Sequence, residues 1–299
     1  MQKPTLGFIG AGKVGHTLAR LLSARGYTVQ AVFSRTHSNA LALAQRLGLA
    51  VVDSPEAVVQ AADLTLLTVS DDAIASVAQS LSDELTAETS PRKALIHTSG
   101  ALEMDVLSAL LNQGIMIGSL HPVFPFADVE TAIAGLPGAV FGIQAAQGEL
   151  LRDWLDGIVA SLNGRILVIP PGGKAVYHAA FVFASNYTVT LYSIAERLLL
   201  SLGTERETAD HALNTLLAGT LENLRRQGIP AALTGPLLRG DVRTIETHLD
   251  GLRHIDNNVE GLYRQLAQLS LPMLAARDVN TFFVEQLLNR ETDYASDDS

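Results

Sequence analysis

Two side chains that can donate a proton lie one helical turn apart beyond the middle of the chain. Lys174 and His178 follow Gly172-Gly173, and their spacing places them on one face of a predicted helix. Asn186 lies further along the same helix and could orient a bound group by hydrogen bonding. A carbonyl or imine that accepts a hydride needs a proton, which histidine or desolvated lysine can supply. Lys174, His178 and Asn186 are therefore candidate catalytic residues; alternatively, they satisfy one another inside a packed helix.

A glycine turn near the start of the chain predicts where a dinucleotide binds. An apolar strand that ends at Ile9 runs into a Gly-x-Gly-x-x-Gly pattern, and a helical stretch follows. The first glycine permits the tight turn, the second lets the backbone approach a pyrophosphate, and the third lets the helix pack on the strand. The free amides at the helix start would face the anion. The residues predicted to hold the pyrophosphate are Gly10, Ala11, Gly12, Lys13, Val14 and Gly15.

The segment after the second predicted strand indicates which dinucleotide fits. A carboxylate at this place accepts hydrogen bonds from the ribose 2′-hydroxyl of NAD, whereas an arginine suits the 2′-phosphate of NADP. The residues here are Ser34, Arg35 and Thr36, with no acid among them. Arg35 could instead be an ordinary solvated side chain at a strand end. Given the upstream glycines, we expect NADP(H), with Arg35 at the 2′-phosphate and Ser34 and Thr36 beside it.

Polar residues also follow three later strands. Val69 and Ser70 end one strand, Ser99 and Gly100 follow the next, and His121 closes the third. Open α/β sheets bind ligands at the carboxyl ends of their strands. We therefore expect Val69, Ser70 and Ser99 at the cofactor, and Ser99, Gly100 and His121 at the substrate. Alternatively, Ser70 belongs to a helix cap, the turn at Ser99 only reverses the chain, and His121 is structural.

A further candidate for anion binding lies late in the chain. A polar break between two predicted helices contains Arg239 and Asp241. Arg239 could bind a substrate carboxylate. Capping of the following helix is the simpler prediction for Asp241.

The order of predicted elements sets the fold class. Strands and helices alternate up to residue 169, which predicts a doubly wound α/β sheet of the Rossmann type. After Pro170 and Pro171 the pattern favours helices only. We therefore predict a Rossmann domain over 1–170, an all-helical domain for substrate binding and dimerisation over 171–290, and a flexible acidic tail over 291–299. The finer predictions include a short strand over 50–52, a helix over 104–112 and an unbroken helix over 174–202.

Composition narrows the classes of partner. The formal net charge is −10, and basic residues do not cluster with aromatic ones, which argues against nucleic-acid binding. The chain has no cysteine, which excludes disulfides and thiolate chemistry, and we predict no metal site. Residues 175–195 carry no charge, but their polar side chains favour a buried helix over a membrane span. Because no leader pattern follows Met1, we expect a cytoplasmic protein. We expect it to bind a small-molecule substrate and no membrane.

Several of these motifs occur together in one family. The chain resembles, over nearly its whole length, the Rossmann-like proteins that carry the domain of unknown function 2520, which is similar to a branch of the 6-phosphogluconate dehydrogenase-like superfamily. That superfamily includes ketopantoate reductase, pyrroline-5-carboxylate reductase and 3-hydroxyisobutyrate dehydrogenase. The resemblance implies an NADP-linked reductase that dimerises through its helical domain. The motifs that carry it are residues 7–15, Ser34-Arg35-Thr36, His97-Thr98-Ser99-Gly100, Ser119-Leu120-His121-Pro122, Tyr177-His178-Ala179-Ala180, Ala184-Ser185-Asn186-Tyr187, Thr234-Gly235-Pro236 and Arg239-Gly240-Asp241.

The resemblance also bears on the reaction. Hydroxyacid dehydrogenases and ketopantoate reductases of the superfamily use a lysine at the start of the corresponding helix and an asparagine one turn later. Lys174 matches the first, whereas His178 stands in the second place and Asn186 lies two turns beyond it. We expect an NADPH-dependent reductase of a small oxo acid or related carbonyl, for which ketopantoate is a candidate. The alternatives are a non-catalytic NADP-sensing or interaction protein on the same fold and, third, a methyltransferase.

Overall fold

The computed structural model describes residues 3–85, 92–145 and 149–289. The predicted acidic tail over 291–299 lies outside the described residues. The chain divides into two compact units, the first ending at Tyr187 and the second beginning at Thr188. This division falls beyond residue 170, because the helix that follows Pro170 contacts the first unit. The domain limits themselves stay predictions.

The first unit is built on a seven-stranded sheet, which confirms the predicted α/β class. Its strands are β1 (Leu6–Ile9), β2 (Val29–Phe33), β3 (Leu64–Leu67), β4 (Ala94–His97), β5 (Met116–Pro122), β6 (Val140–Ala145) and β7 (Arg165–Val168). Their order across the sheet is β2-β1-β3-β4-β5-β6-β7. Neighbouring strands are parallel except β5 and β6, which are antiparallel. The carboxyl ends of the first five strands therefore share one edge.

Helices cover both faces of this sheet. They are α1 (Lys13–Ala24), α2 (His37–Leu47), α3 (Pro55–Ala61), α4 (Asp71–Glu84), a 3-10 helix (Met104–Gln113), α5 (Val129–Gly135), α6 (Glu149–Ser161) and α7 (Lys174–Phe181). Successive residues of a strand point to opposite faces, so Phe8 joins one apolar core with Leu18 of α1, and Ile9 joins the other with Ile74 of α4. The sheet is thus doubly wound.

Three local predictions differ from the structure. Residues 50–52 form no strand of their own; Val51 makes a single bridge to Val32 at the sheet margin. The helix predicted over 104–112 is present but is wound as a 3-10 helix. The helix predicted over 174–202 is interrupted after α7 by a π-helical segment, Val182–Asn186, and continues as α8 (Tyr187–Ser201). Hydrophobic periodicity locates a helix without distinguishing these windings.

The described part of the second unit, residues 188–289, contains helices and no strand, as predicted. Asp241 accepts a hydrogen bond from the amide of Thr244 at 3.1 Å, which confirms the predicted cap. Ile245 and Leu249 contribute to a small buried core with residues of the last two helices. After α8 the helices are α9 (Arg206–Gln227), α10 (Val242–Arg253), α11 (Asn257–Ala275) and α12 (Phe282–Leu288).

The apolar stretch over 175–195 is less buried than predicted. Val176, Phe183 and Val189 are 76%, 68% and 69% exposed, respectively. Within the described residues, no helix combines the length and hydropathy that crossing a bilayer requires. The stretch therefore presents apolar side chains at the surface of the single chain.

Candidate functional site

The glycine turn has two glycines that the fold requires and one that faces open space. Gly10 has a φ of +103°, and a Cβ on it would lie 2.6 Å from the carbonyl oxygen of Thr68. A Cβ on Gly15 would overlap the carbonyl of Gly10 and lie 2.7 Å from Oγ1 of Thr68. A Cβ on Gly12 would meet no atom within 4 Å. Packing thus accounts for Gly10 and Gly15, whereas the space beside Gly12 is available to a ligand.

Thr68, which the sequence analysis did not single out, holds this turn in place. It follows β3 and is buried, and its Oγ1 donates a hydrogen bond to the carbonyl of Gly10 at 2.6 Å. The turn is therefore tied to the neighbouring strand by a side chain as well as by close packing.

The helix after the turn begins without a cap. Gly12 stands at the N-cap position of α1, and no side chain there accepts a hydrogen bond from the first amides of the helix. The first turn of the helix contains no acidic residue. Lys13 is exposed, whereas Val14 packs against the core. The first amides of α1 are thus left to bind an anion, with the positive end of the helix dipole behind them.

A cavity of about 470 Å³ lies along this helix start. Arg35 is its one charged side chain, and no carboxylate is found among the described residues that line it. The open backbone at Gly12, the uncapped helix and Arg35 therefore fit a phosphorylated dinucleotide. Eight of the predicted cofactor residues line the cavity, namely Gly10, Ala11, Gly12, Ser34, Arg35, Thr36, Val69 and Ser70. Four do not: Lys13, Val14, Gly15 and Ser99.

Lys174 is buried at the start of α7 and is fixed at both ends. Its Nζ donates a hydrogen bond to the carbonyl of Ser99 at 2.7 Å, and its amide donates to Oε1 of Glu103 at 2.9 Å. Burial lowers the pKa of Lys174 to about 8, against the opposing attraction of Glu103 and Asp71. Lys174 can therefore exchange a proton near neutral pH.

Glu103 connects the segments around Lys174. Its other oxygen, Oε2, accepts a hydrogen bond at 2.6 Å from the amide of Gln144, whose Nε2 also donates to the carbonyl of Pro170 at 3.2 Å. Burial opposes ionisation, but hydrogen bonds from Gln144 and the amides of Lys174 and Gly172 bring the pKa of Glu103 below its usual value. Glu103 thus stays ionised and holds the start of α7.

The loop after β4 is organised by His97 and Ser99. The amide of Ser99 donates to Nδ1 of His97 at 3.2 Å, and Nε2 of His97 lies 3.3 Å from the carbonyl of Glu103. The Ser99 hydroxyl donates to Oδ2 of Asp71 at 2.8 Å and accepts from the amides of Ala101 and Leu102. The hydroxyl is thus fully engaged, and the carbonyl of Ser99 separately accepts the hydrogen bond from Lys174.

His121 and His178 meet above Gly100. A Cβ on Gly100 would lie 2.8 Å from Nε2 of His121 and 2.9 Å from Cδ2 of His178. Nδ1 of His121 lies 2.7 Å from the hydroxyl of Tyr177. Burial, together with the charges of Lys174 and His178, lowers the pKa of His121 to about 4. The structure thus brings together the predicted residues Lys174, His178, Gly100 and His121.

Two further predicted residues are exposed. Asn186 is exposed at the end of the π-helical segment, twelve residues after Lys174, or roughly 18 Å along a helix. Arg239 is exposed in a turn of the second unit, between α9 and α10. Their roles stay predictions.

Three residues of the Lys174 site were not predicted from the sequence. Tyr177 stands beside His178 in a motif that carried the family resemblance, so its place in the chain was a usable signal. Glu103 and Gln144 contact each other across 41 positions of sequence and belong to no local pattern. Only the folded sheet brings them to Lys174.

The fold and the site define the class. An uncapped glycine turn at the edge of a doubly wound sheet, followed by a helical region, is the architecture of Rossmann-like nucleotide-binding proteins. The family models agree: residues 1–122 match a Rossmann-like domain, and residues 139–270 match the domain of unknown function DUF2520. The chain thus joins these two domains, which confirms the relationship predicted from its motifs. A search among curated proteins found no match.

Solved structures with the same fold include three proteins that align over most of both chains. A Thermotoga maritima protein is 25% identical with a TM-score of 0.71, covering 92% of this chain and 100% of that one. A Bacteroides fragilis protein assigned as an NADP oxidoreductase is 24% identical with a TM-score of 0.69, covering 89% and 97%. A reductive aminase from Aspergillus terreus, in complex with NADPH and ethyl-5-oxohexanoate, is 20% identical with a TM-score of 0.64, covering 91% and 94%.

Proposed function

We propose that the protein is an NADPH-dependent reductase of a small oxo acid or related carbonyl compound. The observation that carries the proposal is Lys174, a buried ammonium group with a pKa near 8 beside two histidines, in the same unit as the glycine turn. A reductase needs a proton donor in a site shielded from water. The NADP or NADPH named for similar proteins of this fold also supports the proposal.

In this proposal the cavity along α1 holds the cofactor. The amides at Gly12 and the start of the helix bind the pyrophosphate, and Arg35 binds the 2′-phosphate with the hydroxyls of Ser34 and Thr36 beside it. Bound NADPH supplies the hydride. An exposed arginine without a carboxylate among the described lining residues favours NADPH over NADH.

Lys174 is a better proton donor than His121. With a pKa near 8 it is protonated at neutral pH and can release its proton to an oxygen that gains negative charge. His121, with a pKa near 4, is neutral at that pH and has no imidazolium proton to give. We assign proton donation to Lys174. His178, which lies on the same helix face, is assigned a contact with the substrate.

The reaction is tested by following NADPH oxidation with a panel of substrates. The panel contains 2-oxo acids, with ketopantoate first, and cyclic imines. Saturable turnover of an oxo acid supports the proposal. Tight NADPH binding without turnover of any panel member contradicts it and favours the non-catalytic NADP-binding alternative.

The cofactor preference is tested with Arg35→Glu. The substitution removes the partner of the 2′-phosphate and adds a repulsive charge, so NADPH affinity should fall about tenfold or more, which is ~1.4 kcal/mol, while NADH affinity holds. Nucleotide fluorescence titration measures both. Arg165→Glu, which changes an exposed arginine outside the cavity, is the control. An unchanged ratio of NADPH to NADH affinity in Arg35→Glu would remove Arg35 from the cofactor site.

The proposal includes a homodimer formed through the helical domain. The α9 helix exposes Leu216, Leu221 and Leu224, of which Leu216 is 70% exposed. Exposed apolar side chains in this number on one helix favour contact with a second copy of the chain. Light scattering should give twice the mass of one chain, and Leu216→Asp with Leu221→Asp should shift it toward the monomer. A monomeric parent protein at micromolar concentration would contradict the dimer.

A further inference from the structure

The hydroxyl of Tyr177 lies over Gly142 of β6, beside His121 of β5. It lies 2.7 Å from Nδ1 of His121, and the two rings meet edge to face with centroids 5.6 Å apart. The hydroxyl fits there because residue 142 is glycine, since a Cβ at this position would overlap it. His121 and Gly142 are direct partners in the antiparallel register of β5 and β6. Tyr177 thus contacts the strand pair that carries His121.

The surroundings set the direction of this hydrogen bond. Nδ1 of His121 is the one side-chain hydrogen-bond partner of the phenol oxygen among the described residues. The phenol proton is then directed at Nδ1 of His121, because a buried hydroxyl proton without an acceptor is costly. Burial raises the pKa of Tyr177 to about 12, so the phenol keeps that proton. A neutral imidazole that accepts at Nδ1 carries its own proton on Nε2.

The Nε2 atom of His121 faces the place where Gly100 has no side chain. An added Cβ would lie 2.8 Å from it. Ser99, the preceding residue, holds the ammonium of Lys174 through its carbonyl. A donor at Nε2 therefore lies over the backbone of Gly100, next to the residue whose carbonyl holds the ammonium group, and glycine at position 100 is what makes space for the imidazole ring.

We propose that Tyr177 is a positioning residue that fixes His121 in the tautomer protonated at Nε2, so that His121 donates a hydrogen bond to an oxygen of the substrate. This inference rests on the proposed reductase function and narrows its substrate class. A neutral imidazole in this tautomer offers this position a donor and no acceptor. The site therefore selects a carbonyl or carboxylate oxygen and disfavours the N–H of an iminium ion.

The tautomer can be measured without substrate or turnover. In protein labelled with ¹⁵N-histidine, long-range ¹H–¹⁵N correlations at pH 7 distinguish the two neutral tautomers, and His121→Gln identifies the His121 signals. The parent protein should show His121 protonated at Nε2. Tyr177→Phe should shift the pattern toward a mixture of tautomers. The control is Tyr263→Phe, because Tyr263 makes a similar contact with Nδ1 of His248 in the second unit, at 3.0 Å.

Activity gives the second readout. Tyr177→Phe should raise KM for the best oxo acid about tenfold with a smaller change in kcat and no change in NADPH affinity, whereas Tyr263→Phe should change none of these. A parent protein with His121 protonated at Nδ1 would overturn the inference whether or not Tyr177→Phe folds. An unchanged tautomer in folded Tyr177→Phe would also overturn it. The expected tautomers without reduction of any substrate would instead overturn the proposed function.

Discussion

The glycine turn and the Lys174 site differ in the groups that they offer to a ligand. The turn offers backbone amides at an open helix start, and no atom lies within 4 Å of a Cβ added at Gly12. The Lys174 site offers a buried ammonium group and half-buried histidines, and Lys174 and His121 are already hydrogen-bonded to neighbouring groups. Binding at the turn therefore depends on empty space, whereas chemistry at Lys174 depends on the positions and protonation of its neighbours. Substitutions in the two regions should therefore affect different quantities, nucleotide affinity at the turn and turnover at Lys174.

The largest effect is expected from Lys174→Met, which removes the proposed proton donor but fills much of the same volume. We expect kcat to fall by about 100-fold to 10,000-fold, the usual contribution of a general acid. NADPH affinity, measured by fluorescence, should stay within about twofold. If NADPH affinity fell by as large a factor as kcat, the assignment of cofactor binding and proton donation to separate regions would be wrong.

The same lysine predicts the pH profile of the parent protein. Lys174 has a pKa near 8 and donates its proton only below that value, so kcat/KM should fall as the pH rises through about 8. Residual activity in Lys174→Met should lack this alkaline decline. A profile in the parent protein that stays flat up to pH 9.5 would show that another group donates the proton.

Two glycine substitutions should have opposite consequences at the turn. Gly12→Ala adds a methyl in open space, so the free energy of unfolding should change by less than about 0.5 kcal/mol while NADPH affinity falls about tenfold or more. Gly15→Ala forces a methyl against the carbonyl of Gly10 and should lower the free energy of unfolding by about 1–3 kcal/mol. Urea unfolding and nucleotide titration of both variants measure the pair. Equal destabilisation by the two substitutions would contradict the assignment of Gly12 to the ligand.

A further effect, confined to low pH, concerns the stability of the Lys174 site. Burial is the main cause of the low pKa of His97, about 4 against its usual 6.5. Between these values the unfolded chain binds the proton and the folded chain does not, so stability falls as the pH drops from about 6.5 to 4, by up to roughly 3 kcal/mol. His97→Gln should remove this part of the pH dependence, whereas His37→Gln, at an exposed position, should not. Urea unfolding at pH 7 and 4.5 tests this. An equal loss in the free energy of unfolding between these pH values in the parent protein and both variants would contradict it.

The two regions also differ in how far the sequence could predict them. The glycine turn is one short stretch whose spacing reflects local backbone geometry, and its cavity contains most of the residues that were expected there. The alternation of strands and helices was predictable for the same reason, since each element has its own period.

The Lys174 site depends on pairings that no local pattern records. Lys174, His178, Gly100 and His121 were candidates because each lies at a strand or helix end, yet Glu103 and Gln144 come together only through the sheet. Residue 142 must be glycine for a tyrosine that lies 35 positions later. The antiparallel placement of β6, which puts Gly142 opposite His121, follows from topology and not from the residues of that strand.

The π-helical segment Val182–Asn186 has a consequence for counting along the chain. Such a segment contains one residue more than the α-helix would need for the same turn. Positions beyond it no longer keep the phase set by Lys174, so an α-helical count misassigns the side of the helix that Asn186 occupies. Because the wider turn takes up the extra residue, deletion of a single residue here should restore a regular α-helix and leave the later side chains on the side that they now occupy.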